Sequence, residues 1–184
     1  DAVVITHSDN DHAGGIADVL REFEVGTVYW NFEPSSVVDK REREKTRTVT
    51  LVKGDQLSFG AVKLEVLHPD CLGPCLVSVS ENQRSLVIRL DYGATSVLFT
   101  GDIGAETEQK LLQHSREHLD VDVLKVPHHG SRSSSTLRFL KAVFPEYSVI
   151  MVGVNNRFGH PHAKVYRNLQ AFSSIQVLRT DTNG

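Results

Sequence analysis

The sequence has no unbroken run of 18 or more apolar residues, so no segment of it reads as a membrane span. It carries no secretory leader either. Methionine is nearly absent. The single one is Met151, so a chain opening on Asp1 is expected to be a cut or processed piece. Both absences then describe the piece and not its parent. Cysteine is scarce, two in 184 residues, and two thiols cannot complete a structural zinc site without other ligands. Their placing, Cys71-Leu72-Gly73-Pro74-Cys75, leaves a small disulfide and two unrelated thiols both open. Acid is missing from one stretch only. Residues 125–179 hold Glu146 alone against eight bases: Lys125, Arg132, Arg138, Lys141, Arg157, Lys164, Arg167 and Arg179. Residues 1–124 hold twelve bases against twenty-one acids. Such asymmetry points to an anionic partner for the second part, with scattered solvated helix faces as the plainer alternative.

What is present suits one domain. A chain of 184 residues, 40% hydrophobic, can bury a sizeable core. "DAVVIT" (1–6) reads as a buried strand ending at an acidic-histidine cluster. A Gly-Gly turn and a short helix, "IADVLREF", follow, then a strand, "TVYWNF". Residues 35–47 are dense in charge with no apolar face and read as an exposed helix or loop. Strands are expected at 48–52, 62–69, 85–92 and 95–102, the last two as a hairpin around Tyr92-Gly93-Ala94. From 105 the pattern alternates: a helix at 105–118, a strand at 121–127, the helix "STLRFLKAVF", the strand "YSVIMVGV", the helix "AKVYRNLQAF" and a last strand "IQVLRT". There is no repeat, low-complexity tract or linker. A β-rich part followed by alternating helix and strand argues for an α/β fold, with helices covering sheet faces around one core.

The residues with chemistry gather at strand ends. His7, Asp9, Asp11 and His12 fall within "THSDNDHAGG", after an apolar strand and before the Gly-Gly turn. Imidazole and carboxylate together suit zinc, manganese or iron. The alternative is a polar turn in which Asp9 or Asp11 caps a helix. Asp102 closes "LFTGD", His128 and His129 close "LKVPHH", and His160 and His162 follow "YSVIMVGV". A strand-ending Asp is commonly a turn former, but four such ends in succession predict convergence on one edge of a sheet. His114 and His118 have a spacing that can bind a metal on a helix, yet surface histidines are commoner there. His68, before Pro69, reads as structural.

These motifs carry a resemblance. "HSDNDHAGG" is similar to the HxHxDH signature of the metallo-β-lactamase superfamily, with Asp9 in the second histidine's place. "FTGD" resembles that superfamily's bridging aspartate and "VPHHGS" its late histidine. "NQRSLVIRLDYGATSVLFTGD", "LKVPHHGSRSSS", "GVNNRFGHPH" and "VLRTDTNG" together resemble the C-terminal hydrolase domain of the ComEC family, the DNA-uptake channel of competent bacteria. The resemblance covers residues 1–184 as a single domain. It implies an αββα sandwich whose first N-terminal strands would precede residue 1.

The resemblance also implies two divalent metal ions, manganese or zinc. One site would take His7 and Asp9, with Asn82 or Ser85 about where a middle histidine falls. The other would take Asp11, His12 and one of His128 or His129, with Asp102 bridging. Oxygen-rich ligands move the first site's preference from zinc towards manganese or magnesium. A metal-activated water would attack phosphorus, with Asp11 orienting it and His160 or His162 giving a proton to the leaving oxygen or holding a phosphate. Asn82, Ser85, Ser131, Arg132 and Arg157 would contact substrate. The implied activity is a metal-dependent phosphodiesterase, a nuclease degrading DNA during uptake and transformation. Its partner would be DNA, single-stranded and read without sequence preference, with no small-molecule cofactor. The parent would be embedded in the bacterial cell membrane, with this domain outside the cytoplasm. Two other readings stay open: a hydrolase of small phosphodiesters or esters, and a module that grips DNA without cutting it.

Overall fold

A computed structural model describes residues 1–31, 45–70 and 80–183. The charged stretch through Glu44 and the Cys71/Cys75 loop lie outside the described residues. Among the described residues ten strands form two sheets. β1 (Ala2–Val4), β2 (Thr27–Trp30) and β3 (Arg47–Thr50) make a small parallel sheet in that order. The large sheet has seven strands in the order β10 (Gln176–Arg179), β9 (Tyr147–Ile150), β8 (Val123–Lys125), β7 (Thr95–Phe99), β6 (Val87–Tyr92), β5 (Val62–His68), β4 (Gln56–Phe59). Its β7–β10 half is parallel and its β4–β7 half antiparallel. That division follows the connections, since parallel neighbours need a crossover and antiparallel ones only a turn. In the β6–β7 hairpin Tyr92 pairs with Thr95, and Gly93 takes φ +60 in the two-residue turn.

Strand alternation sorts side chains into layers. Along the segment entering β6, Leu86 and Ile88 face the space between the sheets, while Val87 faces the helical side. In β2, Val28 and Trp30 join the cluster of Ala13 and Ile16, while Tyr29 packs between the sheets. The helices close both outer faces. α1 (Asn10–Ala13) and α2 (Ile16–Glu22) lie on the small sheet. α3 (Ala105–His114), α4 (Leu137–Val143) and α5 (Ala163–Gln170) cover the large one, burying Leu111, Phe139, Leu140, Val143, Val165 and Leu169 at helical spacings. The result is the expected αββα sandwich. The chain ends in a short α6 (Thr180–Asn183). Among the described residues no helix is long and apolar enough to cross a membrane.

Two local expectations need correction. The helix expected at 105–118 ends at His114, and Arg116–His118 form a separate 3-10 turn, so His114 and His118 do not share a helical face. His118 instead pairs with Glu65 at 2.9 Å. The strand tips do not gather on one sheet edge either. β1 belongs to the small sheet and β7 and β8 to the large one. Alternation identifies a strand but not the sheet it joins.

Candidate metal centre

The centre forms where the two sheets meet at one end. After β1, Ile5 is buried and the backbone oxygen of Thr6 accepts a hydrogen bond from Leu86 N at 2.8 Å, tying the sheets together. His7 follows, fully buried. Its Nδ1 lies 3.0 Å from Thr6 Oγ1, while its Nε2 has no hydrogen-bond partner. Burial, then the neighbouring His12, lowers its pKa. Asp9 occupies the N-cap position of α1 without making a side-chain capping bond, which removes the capping alternative for its carboxylate. That carboxylate lies 3.6 Å from His7 Nε2. α1 then carries Asp11 and His12.

From the large sheet comes Asp102, just past β7. The chain turns at Gly101 with φ +51, and Ser85 Oγ accepts from Asp102 N at 2.9 Å. Asp102 is only 3% exposed, and its Oδ1 makes no hydrogen bond. Burial works to raise its pKa. The His12 and His129 imidazoles close beside it and the charge of Lys125 outweigh that and hold it far below the usual carboxylate range. Lys125 Nζ lies 3.8 Å from Asp102 Oδ1 and donates to the Gly101 oxygen.

The late histidines sit beyond β8, both in left-handed backbone: His128 at φ 49, ψ 46 and His129 at φ 53, ψ 19. Non-glycine residues adopt that region at a cost, and the strain aims side chains. Nδ1 of His129 donates to Met151 O at 2.6 Å, which leaves Nε2 as the ligand atom. That Nε2 lies 3.3 Å from Asp102 Oδ2, 3.3 Å from Asp11 Oδ2 and 3.2 Å from His12 Nε2. His12 Nε2 is 3.2 Å from Asp102 Oδ1. All four donors of Asp11, His12, Asp102 and His129 fall within 4.8 Å of one another. His128 stands aside, 3.9 Å from Asp102 and 3.3 Å from Asn82 Nδ2.

This donor set fits a divalent ion. Two imidazole nitrogens face each other among carboxylates, and a buried carboxylate oxygen is unsatisfied. A cation resolves both. The second expected pair, His7 and Asp9, lies alongside, and the orphaned buried Nε2 of His7 is a further donor. Asn82, expected about where the superfamily's middle histidine falls, turns towards His128.

The other expected residues divide. His160 stacks on His129, centroids 6.5 Å apart and planes 17° apart, at the rim of the centre. His162 does not present a free ring, since its Nδ1 accepts from Lys164 N and caps α5. Ser85 is fully buried and braces Asp102, so it offers no surface to a substrate. Asn82, Asp102, Gly104, His128 and Ser133 line a cleft of about 360 Å³ beside the centre. Ser131 bonds Ser133 side chain to side chain, and Arg132 is exposed nearby. Arg157 is exposed and lies over the Phe158 ring. Of the eight bases, Lys125 is interior and Arg179 is paired bidentately with Asp181; the other six are exposed. His68 is structural: it ends β5, and its Nε2 lies 2.9 Å from Gln83 O. Sequence reasoning gave no site role to Lys125 or to the Met151 carbonyl. "LKVPHH" signals Lys125 only in hindsight, and a backbone acceptor leaves no signal. A hollow of about 610 Å³ between α3 and α4 has cations but no Asp or His donors, so the chemistry lies at the smaller cleft.

An αββα sandwich with an Asp/His cluster at the strand tips defines a class of metal-binding fold. The sequence matches the metallo-beta-lactamase superfamily over residues 1–154, and the chain belongs to it. It is similar to ComE operon protein 3 of Bacillus subtilis, 35% identical over 190 residues, covering all of this chain and 24% of that protein. It is also similar to competence protein ComA of Neisseria gonorrhoeae, 32% identical over 184 residues, covering all of this chain and 24% of that protein. The chain thus spans about a quarter of the length of these relatives. Among solved structures, the fold resembles CmlA, a diiron beta-hydroxylase from Streptomyces venezuelae, with TM-score 0.63 and 16% identity over 98% of this chain and 44% of that one. It also resembles the metallo-beta-lactamase fold protein YhfI from Bacillus subtilis, with TM-score 0.58 and 15% identity over all of this chain and 76% of that one. One neighbour being a hydroxylase, the fold alone does not name the reaction.

Proposed function

We propose that this centre is that of a divalent-metal phosphodiesterase that cuts single-stranded DNA, with little sequence preference, during bacterial DNA uptake. The observation that carries the reading is the meeting of Asp11, His12, Asp102 and His129 within 4.8 Å at an exposed end of the sandwich. Similarity to proteins named for competence supplies the DNA context. In this reading residues 1–184 are one domain of a membrane-embedded parent and lie on its extracytoplasmic side.

Metal ions held here, two in this reading and manganese or zinc in kind, supply Lewis acidity and lower the pKa of a water from 15.7 towards about 7, the value at zinc. The chain's own groups do the rest. His12 and His129 give Nε2, the latter fixed by Met151 O. Asp102, held anionic by its neighbours, is the large sheet's carboxylate donor. Asp11 accepts a hydrogen bond from the attacking water and orients it. His7 and Asp9 are donors for a second ion. His160, at the rim, holds a phosphate oxygen through a ring N–H, while His162 serves its helix. Asn82 lines the cleft, and in this reading it meets phosphates together with Ser131, Arg132 and Arg157, contacts that carry no sequence information.

The test uses metal-stripped protein and linear single-stranded DNA, with each metal added back. Metal-dependent degradation is expected. Tight binding without cleavage under any metal would turn the reading to a non-cleaving grip. Cleavage of a small phosphodiester with DNA left intact would turn it to a small-substrate hydrolase.

A further inference from the structure

Phe158 lies in the loop between β9 and α5 with 67% of its surface exposed. One exposed aromatic on a soluble protein needs no explanation. Here three large apolar side chains are exposed within eight residues: Met151 at 50%, Val154 at 69% and Phe158 at 67%. They follow the strand whose next carbonyl, Met151 O, fixes His129. The loop is also ordered by its own bonds. Asn156 Nδ2 donates to His160 O at 2.7 Å, and His160 N donates to Asn156 Oδ1 at 2.9 Å.

The rings form a ladder. His129 stacks with His160 at 6.5 Å and 17°, and His160 stacks with Phe158 at 5.9 Å and 22°. The Arg157 guanidinium carbon lies 4.9 Å from the Phe158 centroid. The two ring separations keep Phe158 within about 12 Å of His129. A strand rises about 3.4 Å per nucleotide in a helix, so a base reaching Phe158 sits within a few nucleotides of a phosphate at the centre.

Resting on the phosphodiesterase reading, we infer that the Phe158 ring, with Arg157 and His160, is a stacking subsite for an unpaired nucleobase within a few nucleotides of the scissile phosphate. A base offers a π-face whatever its identity, so the subsite is tolerant of sequence. In a duplex that face is occupied by neighbouring bases, so the subsite selects single strands. The Arg157 guanidinium supplies the cation for the same nucleotide's phosphate and can itself stack on a base.

The experiment compares the parent chain, Phe158→Ala and Phe158→Trp. Each is titrated without metal against a thymidine oligonucleotide and against a fully abasic strand of the same length, and cleavage with manganese is measured on both. The parent should prefer the base-bearing strand by roughly tenfold, the size of one base–aromatic stack. Phe158→Ala should lose that preference, and Phe158→Trp should keep it. A parent that binds both strands equally, or a Phe158→Ala that keeps the preference, overturns the subsite. A preference that is present and sensitive to Phe158, with no cleavage of either strand, supports the subsite and overturns the phosphodiesterase reading instead.

Discussion

At position 9 a carboxylate stands where the superfamily's motif has an imidazole. It lies 3.6 Å from His7 Nε2 and is not consumed by capping α1. Asp9, Asp11 and Asp102 together give the centre an oxygen-rich donor set, and hard oxygen ligands suit manganese better than imidazole or thiolate would. DNA cleavage should therefore be faster with manganese than with zinc, and Asp9→His should move the preference towards zinc; steady-state rates with each metal added back decide it, and a parent equally active with zinc would refute the hardness argument. His68 gives a separate test away from the centre. Burial lowers its pKa, partly offset by its bond to Gln83 O. The folded pKa lies below the unfolded value of about 6.5, so the contribution is complete above that pH and is lost as pH falls below it. Metal-free parent should lose Tm between pH 7.5 and 5.5, and His68→Gln should lose less; an equal loss would assign the acid sensitivity elsewhere. The donors were legible as residue types in "THSDNDHAGG" and "VPHHGS". The choice between His128 and His129 was not, because it depends on the backbone turn that aims them and on the Met151 carbonyl.

Secondary-structure elements set how firmly those donors are held. Asp102 depends on the turn after β7, where Gly101 has φ +51 and a Cβ would come within 2.6 Å of Ser85 Cβ and 3.2 Å of Thr6 Cβ. Left-handed backbone and the collision act together, so Gly101→Ala should destabilise the protein by about 1–3 kcal/mol and weaken metal binding several-fold. Chemical denaturation and metal titration of the variant measure both, and unchanged metal affinity would show that the turn does not position Asp102. Most strands and helices were legible from period-2 and helical spacing. β4 was missed because "QLSF" is short and largely exposed, so burial leaves little pattern. The 105–118 helix was overextended because its apparent periodicity runs past Ser115, whose φ of −148 ends it. His162 looked free in "GHPH" because a capping role depends on where α5 starts.

Across the whole molecule, the centre draws its donors from both sheets. Asp11 and His12 come with the small sheet, Asp102 and His129 with the large one. A bound ion therefore cross-links the sandwich in the folded state alone. At a metal concentration one hundred times Kd the linkage amounts to about 2.7 kcal/mol, or roughly 5–10 °C in Tm for a chain of this size; a scanning measurement with and without chelator should show that rise, and no shift at saturating metal would remove the cross-link. The sandwich was legible from the order of elements, but the meeting of two sheets at the site was not, since sequence pattern does not say which strands share a sheet. The most direct test of the account is made on parent and Asp102→Ala in the same samples, reading manganese bound per chain alongside degradation of single-stranded DNA. The parent should bind manganese and cut, and the variant should lose most of both. A variant that binds manganese and degrades DNA as the parent does would contradict it.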